Sequence, residues 1–165
     1  MWERSEVTDR DSLHALLAHH AIEQLHTTYA DVVNRRAWDE LGPLFTAHAT
    51  IQVDTVSSDP VEATGAGELA DFLDRAVARF AFLEFVVLTL RVEAPAPEAP
   101  DRTTSRLWMR EVRRDLGTLA WSEAYGLYRD SYRRDGDTWR FASRRYRSIT
   151  RTDGDVFALP DPLDP

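Results

Sequence analysis

A chain of 165 residues suits one domain and is long enough to bury a core unaided. It has no cysteine, which excludes disulfides, thiolate metal sites and cysteine nucleophiles, and every basic residue is arginine, which excludes lysine Schiff bases. A net charge of −8 argues against a broad nucleic-acid surface, because phosphate binding needs a positive field, although arginines do gather between 129 and 151.

Residues 1–10 read as a loose, charged lead-in without the apolar stretch of a signal peptide. Over 11–36, Leu13, Leu16, Leu17, Ile22, Leu25, Tyr29, Val32 and Val33 recur at helical spacing, with Asp11 or Ser12 as the expected N-cap. A second, short helix is expected over 37–46, with Trp38, Leu41, Leu44 and Phe45 inward and Gly42-Pro43 breaking or tightening it. Residues 49–56 alternate as a strand does, with Ile51, Val53 and Thr55 on one face and Thr50, Gln52 and Asp54 on the other. A loop is expected at 57–65 and a third amphipathic helix over 66–80, with Leu69, Phe72, Leu73, Ala76 and Phe80 on one side.

The rest reads as strand. Residues 82–93 are β-rich and nearly all apolar, and 94–102 form a proline-rich, exposed connection. Strands follow at 103–115 and 119–135, and Asp135-Gly136-Asp137 turns the chain into a last strand at 138–151. Residues 152–165 are an acidic, proline-rich tail, and no repeat is visible. Residues 1–165 therefore make one α+β domain: three N-terminal helices packed on a strongly curved, mostly antiparallel sheet that forms a cone with an internal pocket.

Two stretches carry a resemblance. "LHTTYADVVNRRAWDELGPLFTAHATIQVD" is similar, as helix, Trp-Asp-x-Leu, Leu-Phe and first strand, to the nuclear transport factor 2-like superfamily and its SnoaL-like proteins. "YGLYRDSYRRDGDTWRFASRRY" is similar to that family's Gly-x-Tyr-x-Asp strand, hairpin and Trp-Arg-Phe strand, and the match runs over about 12–150. Relatives include ketosteroid isomerases, polyketide cyclases and scytalone dehydratases, besides proteins with no catalysis, so the fold implies a pocket more firmly than a reaction.

Carried over by position, the resemblance implies Tyr29 and Asp130 as the catalytic pair: the phenol and a protonated carboxyl would donate to one substrate oxygen and stabilise an enolate. The isomerases' first-strand base is Val53 here, and the dehydratases' helix Tyr-Asp pair and strand histidine are Val33, Asn34 and Phe85. Gln52 and Asp54 lie on the opposite face of that strand from Val53, and Glu84 has the opposite parity to Phe85.

Each candidate has two readings. Tyr29 is a pocket donor or a core aromatic; Asp130 is a pocket acid or the ionised partner of Arg129, Arg133 or Arg144. Asn34 meets a ligand or satisfies loop backbone, and Glu84 and Glu123 are a pocket base or lie on a solvent or dimer face. Val53, Phe85, Trp108 and Tyr128 are expected among the pocket walls. The histidines, including His26, form no metal-binding pattern, and no metal or cofactor is expected.

The expected function is thus a cofactor-independent SnoaL-like enzyme that takes a hydrophobic carbonyl compound, polyketide- or terpenoid-like, and promotes cyclisation, isomerisation or elimination. The alternative is a small-molecule-binding or dimerisation module of the same fold. A homodimer, no nucleic-acid partner, no membrane span and a cytoplasmic location complete the expectations; no apolar run reaches the ~18 residues of a span.

Overall fold

The computed structural model describes residues 9–152, with side chains from residue 12 onward. Most of the lead-in and of the acidic tail expected at 1–10 and 152–165 lies outside the described residues.

Helix α1 spans Asp9–Arg35, beginning ahead of both expected caps. Its buried face starts at Ala18 and continues through Ile22, Leu25, Tyr29, Val32 and Val33, whereas Leu13, Leu16 and Leu17 are exposed. Four residues after Ile22, His26 falls on the same buried face. The helix ends with Arg36 in the left-handed region at φ 55°. There the Ala37 N–H reaches the Val32 carbonyl (3.0 Å) and the Arg36 N–H reaches that of Val33 (3.1 Å), the paired bonds of a Schellman cap. Arginine in place of the usual glycine is anchored by its guanidinium, which donates to the Phe80 carbonyl at 2.8 Å.

The second helix expected at 37–46 is instead two 3₁₀ turns, Trp38–Glu40 and Gly42–Leu44. Their bonds run three residues back, from Glu40 to Ala37, Leu41 to Trp38 and Leu44 to Leu41. Pro43 lacks the N–H an α-turn would use and disfavours the α region at Gly42, so the segment tightens rather than propagates. Among the described residues there are therefore two α-helices, α1 and α2 (Gly65–Val77), not three.

Six strands follow the turns: β1 (Phe45–Asp54), β2 (Val61–Thr64), β3 (Phe80–Val92), β4 (Arg102–Asp115), β5 (Trp121–Asp135) and β6 (Thr138–Arg151). They form one sheet in the order β2-β1-β6-β5-β4-β3. Strands β3 to β6 are an antiparallel meander, while β1 lies parallel to β6 and antiparallel to β2. Strand β2 falls inside the stretch expected to be a loop; its four residues are too few to declare a period, and its pairing with β1 is what orders them. The last hairpin turns at Gly136, whose φ of +59° suits a two-residue turn that opens on glycine.

Alternation fixes the inner face. Thr103, Ser105, Leu107 and Met109 of β4 are buried, as are Ala124, Gly126, Asp130 and Tyr132 of β5. Register then stacks inward rungs across β4, β5 and β6: Ser105–Asp130–Arg144, Leu107–Tyr128–Tyr146, Met109–Gly126–Ser148 and Glu111–Ala124–Arg151. The core lies between these rungs and the two helices.

Gly126 is needed because the Tyr146 ring lies over it. A Cβ there would collide with Cε2 of that ring and sit 2.7 Å from Cζ and 2.8 Å from the hydroxyl. Gly126→Ala is expected to destabilise by about 1–3 kcal/mol, the usual range for overpacking, because the ring must leave its place. Chemical denaturation measures this; an unchanged midpoint would show that the ring is not held there.

Candidate functional site

The sheet's inner face and both helices enclose a cavity of about 480 Å³. Its walls are mainly apolar, from Ile51 and Val53 of β1, Leu69, Phe72 and Val77 of α2, and Leu83 of β3. Tyr29, Tyr128 and Tyr146, together with Glu111, Arg113, Arg144 and Arg151, line it as well.

Arg144 is 1% exposed. Its guanidinium carbon stands 3.9 Å from the Tyr29 ring centre, 4.0 Å from that of Tyr128 and 4.6 Å from that of Phe141. Ring faces stabilise a desolvated cation, here from several sides at once. Asp130 Oδ1 lies 3.6 Å from Arg144 Nε, which gives charge compensation but no hydrogen bond. Among the described residues, neither Nε, Nη1 nor Nη2 of Arg144 has a hydrogen-bond acceptor. Buried N–H groups without acceptors are costly, and at the wall of a cavity they are the donors a ligand oxygen would meet.

Next to it lies a closed polar cluster. The Tyr132 hydroxyl is 2.6 Å from His26 Nε2 and 2.6 Å from Ser105 Oγ. Asp130 Oδ2 is 3.5 Å from the same His26 nitrogen. Burial pushes the Asp130 carboxyl up to about 6, against the pull of Arg144 and of the Tyr132 hydroxyl. Burial, aided by Arg144, holds His26 down at about 2. At neutral pH Asp130 is therefore ionised and His26 neutral. Asp130 is not among the residues lining the cavity; its carboxylate serves Arg144 instead of donating to a ligand.

These two groups give the stability a defined pH profile. The histidine, depressed from 6.5, contributes stability that is full above that value and is lost as pH falls towards 2. Asp130, raised from 3.8, works the other way: its contribution is full below 3.8 and is lost as pH rises through about 6. The slopes oppose each other between about 4 and 6, and below that window His26 acts alone. Denaturation midpoints should change little across the window and drop steeply below it, and His26→Gln should flatten the drop. An acid limb unchanged in His26→Gln would refute this assignment.

Glu111 is the carboxylate of the cavity. Its side chain is 25% exposed, and Arg113 Nη1 lies 4.0 Å from its Oε2. Burial raises its pKa while Arg113 and Arg151 pull it down. Its charge is felt by Tyr29, Tyr128 and Tyr146. Burial raises all three phenols first of all, so each stays a neutral donor at physiological pH. Sequence reasoning passed over Glu111, although its parity with Leu107 and Met109 points it inward.

The other expected residues divide. Tyr29, Val53 and Tyr128 line the cavity. The Asn34 side chain accepts from the Phe85 N–H (2.6 Å) and donates to the Phe85 carbonyl (3.1 Å), which ties α1 to β3, and Asn34 is not among the residues lining the cavity. Phe85 packs against Tyr29 and Tyr128 in the core and does not line the cavity. Glu84 is exposed, and Trp108 is 39% exposed on the face away from Leu107 and Met109. Asp54 accepts from the Val56 N–H in the loop after β1, and Glu123 holds the Tyr125 hydroxyl at 2.6 Å. Among the described residues no three His, Cys, Asp or Glu side chains gather as a metal centre requires.

A family model for the SnoaL-like domain matches residues 14–145. Among solved structures, a protein assigned as a scytalone dehydratase from Novosphingobium aromaticivorans is 19% identical, with a TM-score of 0.75 over 93% of this chain and 98% of that one. A hexachlorocyclohexane dehydrochlorinase, LinA-type3 from Novosphingobium barchaimii, is 18% identical, with a TM-score of 0.73 over 90% and 99%. A protein assigned as a dehydratase of the NTF2-like family from Streptomyces avermitilis is 12% identical, with a TM-score of 0.65 over 79% and 95%. No curated protein matches the chain.

Proposed function

The chain belongs to the SnoaL-like domain family of the nuclear transport factor 2-like superfamily, and from that membership we propose that it is an enzyme moving a proton on a hydrophobic carbonyl compound, with isomerisation, cyclisation or elimination as the outcome. One observation carries this reading: the same largely apolar cavity is lined by Arg144, whose buried N–H groups find no acceptor among the described residues, and by Glu111, whose pKa is raised.

The chemistry follows from what each group offers. Arg144 and the neutral phenols of Tyr29 and Tyr128 would donate to a carbonyl oxygen, and their hold would strengthen as that oxygen gains charge. Glu111, ionised, would take the proton from the neighbouring carbon; its raised pKa suits a base that must return the proton afterwards. Asp130 would keep Arg144 in place without touching substrate. Proton transfer and charge stabilisation lie within the reach of these side chains, so the reaction asks for no cofactor. In an elimination, Arg144 would instead receive the departing anion. The structural relatives named for dehydration and dehydrochlorination support that version, since each name describes the loss of a proton and a leaving group.

A second reading, binding without chemistry, is favoured by one feature: Val53 occupies the first-strand position where the isomerases carry their base, and Asp130 is spent on Arg144. Dimerisation is part of either reading, with the exposed Phe82, Trp108 and Trp121 as the surface that would be covered. Deuterium incorporation separates the two. Cyclic enones and aryl ketones are incubated with the protein in D2O, and proton NMR follows loss of the signal next to the carbonyl. Exchange that requires Glu111 supports the enzyme; ligand binding without any exchange supports the second reading.

A further inference from the structure

The charge on this cavity runs against the charge on the chain. The chain carries −8, yet among the described residues the cavity is lined by five arginines, Arg75, Arg79, Arg113, Arg144 and Arg151, and one acid, Glu111. Asp130 compensates Arg144 from outside the lining. Of the other four, Arg75 and Arg79 are exposed, in the last turn of α2 and just after it, Arg151 is half-buried at the end of β6, and Arg113 is buried near the end of β4 beside Glu111.

Two of these cations converge on one ring. The guanidinium carbons of Arg79 and Arg113 lie 4.7 and 5.4 Å from the centre of Phe80. Like charges at such spacing repel, and low-dielectric walls screen them poorly. Asp115, whose carboxylate feels Arg79, directs Oδ1 to the Gly117 and Thr118 N–H groups of its own turn. Arg151 Nε is buried without a hydrogen-bond acceptor among the described residues, as are the nitrogens of Arg144. The cavity thus presents a positive field and unmet donors beside apolar walls.

We infer that the molecule taken into this cavity is a hydrophobic monocarboxylate, its apolar body against the walls and its carboxylate among Arg79, Arg113 and Arg151. A carboxylate matches a guanidinium fork with two parallel hydrogen bonds. A guanidinium fork would take a phosphate as well, and the mainly apolar walls beside it are what favour a hydrophobic acid. The inference rests on the reading that the cavity binds a small molecule, and it adds the charge of that molecule.

Calorimetric titration of the full chain with benzoate, 1-naphthoate and 9-anthroate, each beside its primary amide, tests it. At least one acid should bind about tenfold or more tightly than its amide, the factor that 1.4 kcal/mol represents. Arg151→Gln should narrow that gap to roughly threefold or less with amide affinity unchanged. Arg79→Gln, at an exposed position that folding tolerates, should narrow it in the same direction. Acids and amides of equal affinity would overturn the assignment of charge and leave the proposed enzyme standing. A preference for acids that survives both substitutions would also overturn it. Binding of no acid and no amide would overturn this inference and the small-molecule reading together.

Discussion

Arg144→Met is expected to cost roughly 3–5 kcal/mol of stability at neutral pH, the range for removing one partner of a buried ion pair. The loss arises mainly in what remains: Asp130 is 2% exposed, and Arg144 supplies its opposing charge. Arg144 pulls the Asp130 pKa down, so its removal lets burial push that carboxyl above its present value of about 6. The protein can then escape part of the penalty by protonating Asp130, and the loss should be smaller at pH 5 than at pH 8. Arg144→Met combined with Asp130→Asn should lose clearly less than the two single changes added, because the unpaired charge is gone. Guanidinium denaturation of the four proteins at both pH values checks each part. Additive losses would mean that the two side chains are not energetically a pair. The double variant has a second use, since a folded protein without the guanidinium should neither exchange substrate protons nor bind the ketone.

Glu111→Gln is expected to lower kcat about 10²- to 10⁴-fold, the usual contribution of a positioned acid or base, with little change in KM. Glutamine keeps the volume and the hydrogen-bonding capacity and removes the ionisable group. Folding should be unharmed or slightly improved. Burial raises the Glu111 pKa, so its ionised form is a liability in the folded state that grows as pH rises through the raised value. The wild-type rate should climb with pH through that same pKa, because the base must be ionised to act. The climb should vanish in the residual activity of Glu111→Gln. A variant with full activity would remove Glu111 from the mechanism and leave Arg144 with a different base to find.

How much of this was legible in the sequence depends on which physical rule each residue obeys. The later strands read well from β-rich composition and turn signals, and the last one was expected over the residues that form it, Thr138–Arg151, whereas β1 begins at Phe45, four residues ahead of the stretch expected. The fold followed from order and spacing of whole motifs. Segments decided by a single contact or a single missing donor did not read. Residues 37–46 have helical spacing but tighten at Pro43, and Val61–Thr64 becomes a strand because β1 offers it an edge.

At the site the difficulty was direction. Glu111 and Trp108 belong to one strand of regular parity, and that parity sends the glutamate in and the tryptophan out, whereas aromatic composition alone had pointed to Trp108 and to nothing at Glu111. Tyr29 was marked as a residue with two readings, and it has both properties, a core ring and a place on the cavity wall. Arg144 appeared in the sequence as one of several partners for Asp130. That it stands between two tyrosine rings, with its donors unmet among the described residues, depends on α1 packing against β6, a relation no local pattern encodes.

The account stands or falls on where a ligand oxygen goes. A crystal structure of the protein with a naphthyl methyl ketone bound measures this directly. The ketone oxygen should lie about 2.7–3.2 Å from a nitrogen of Arg144, with the rings against Ile51, Leu69 and Phe72. A ketone seated outside the cavity, or seated within it with its oxygen turned away from that guanidinium, would contradict the account.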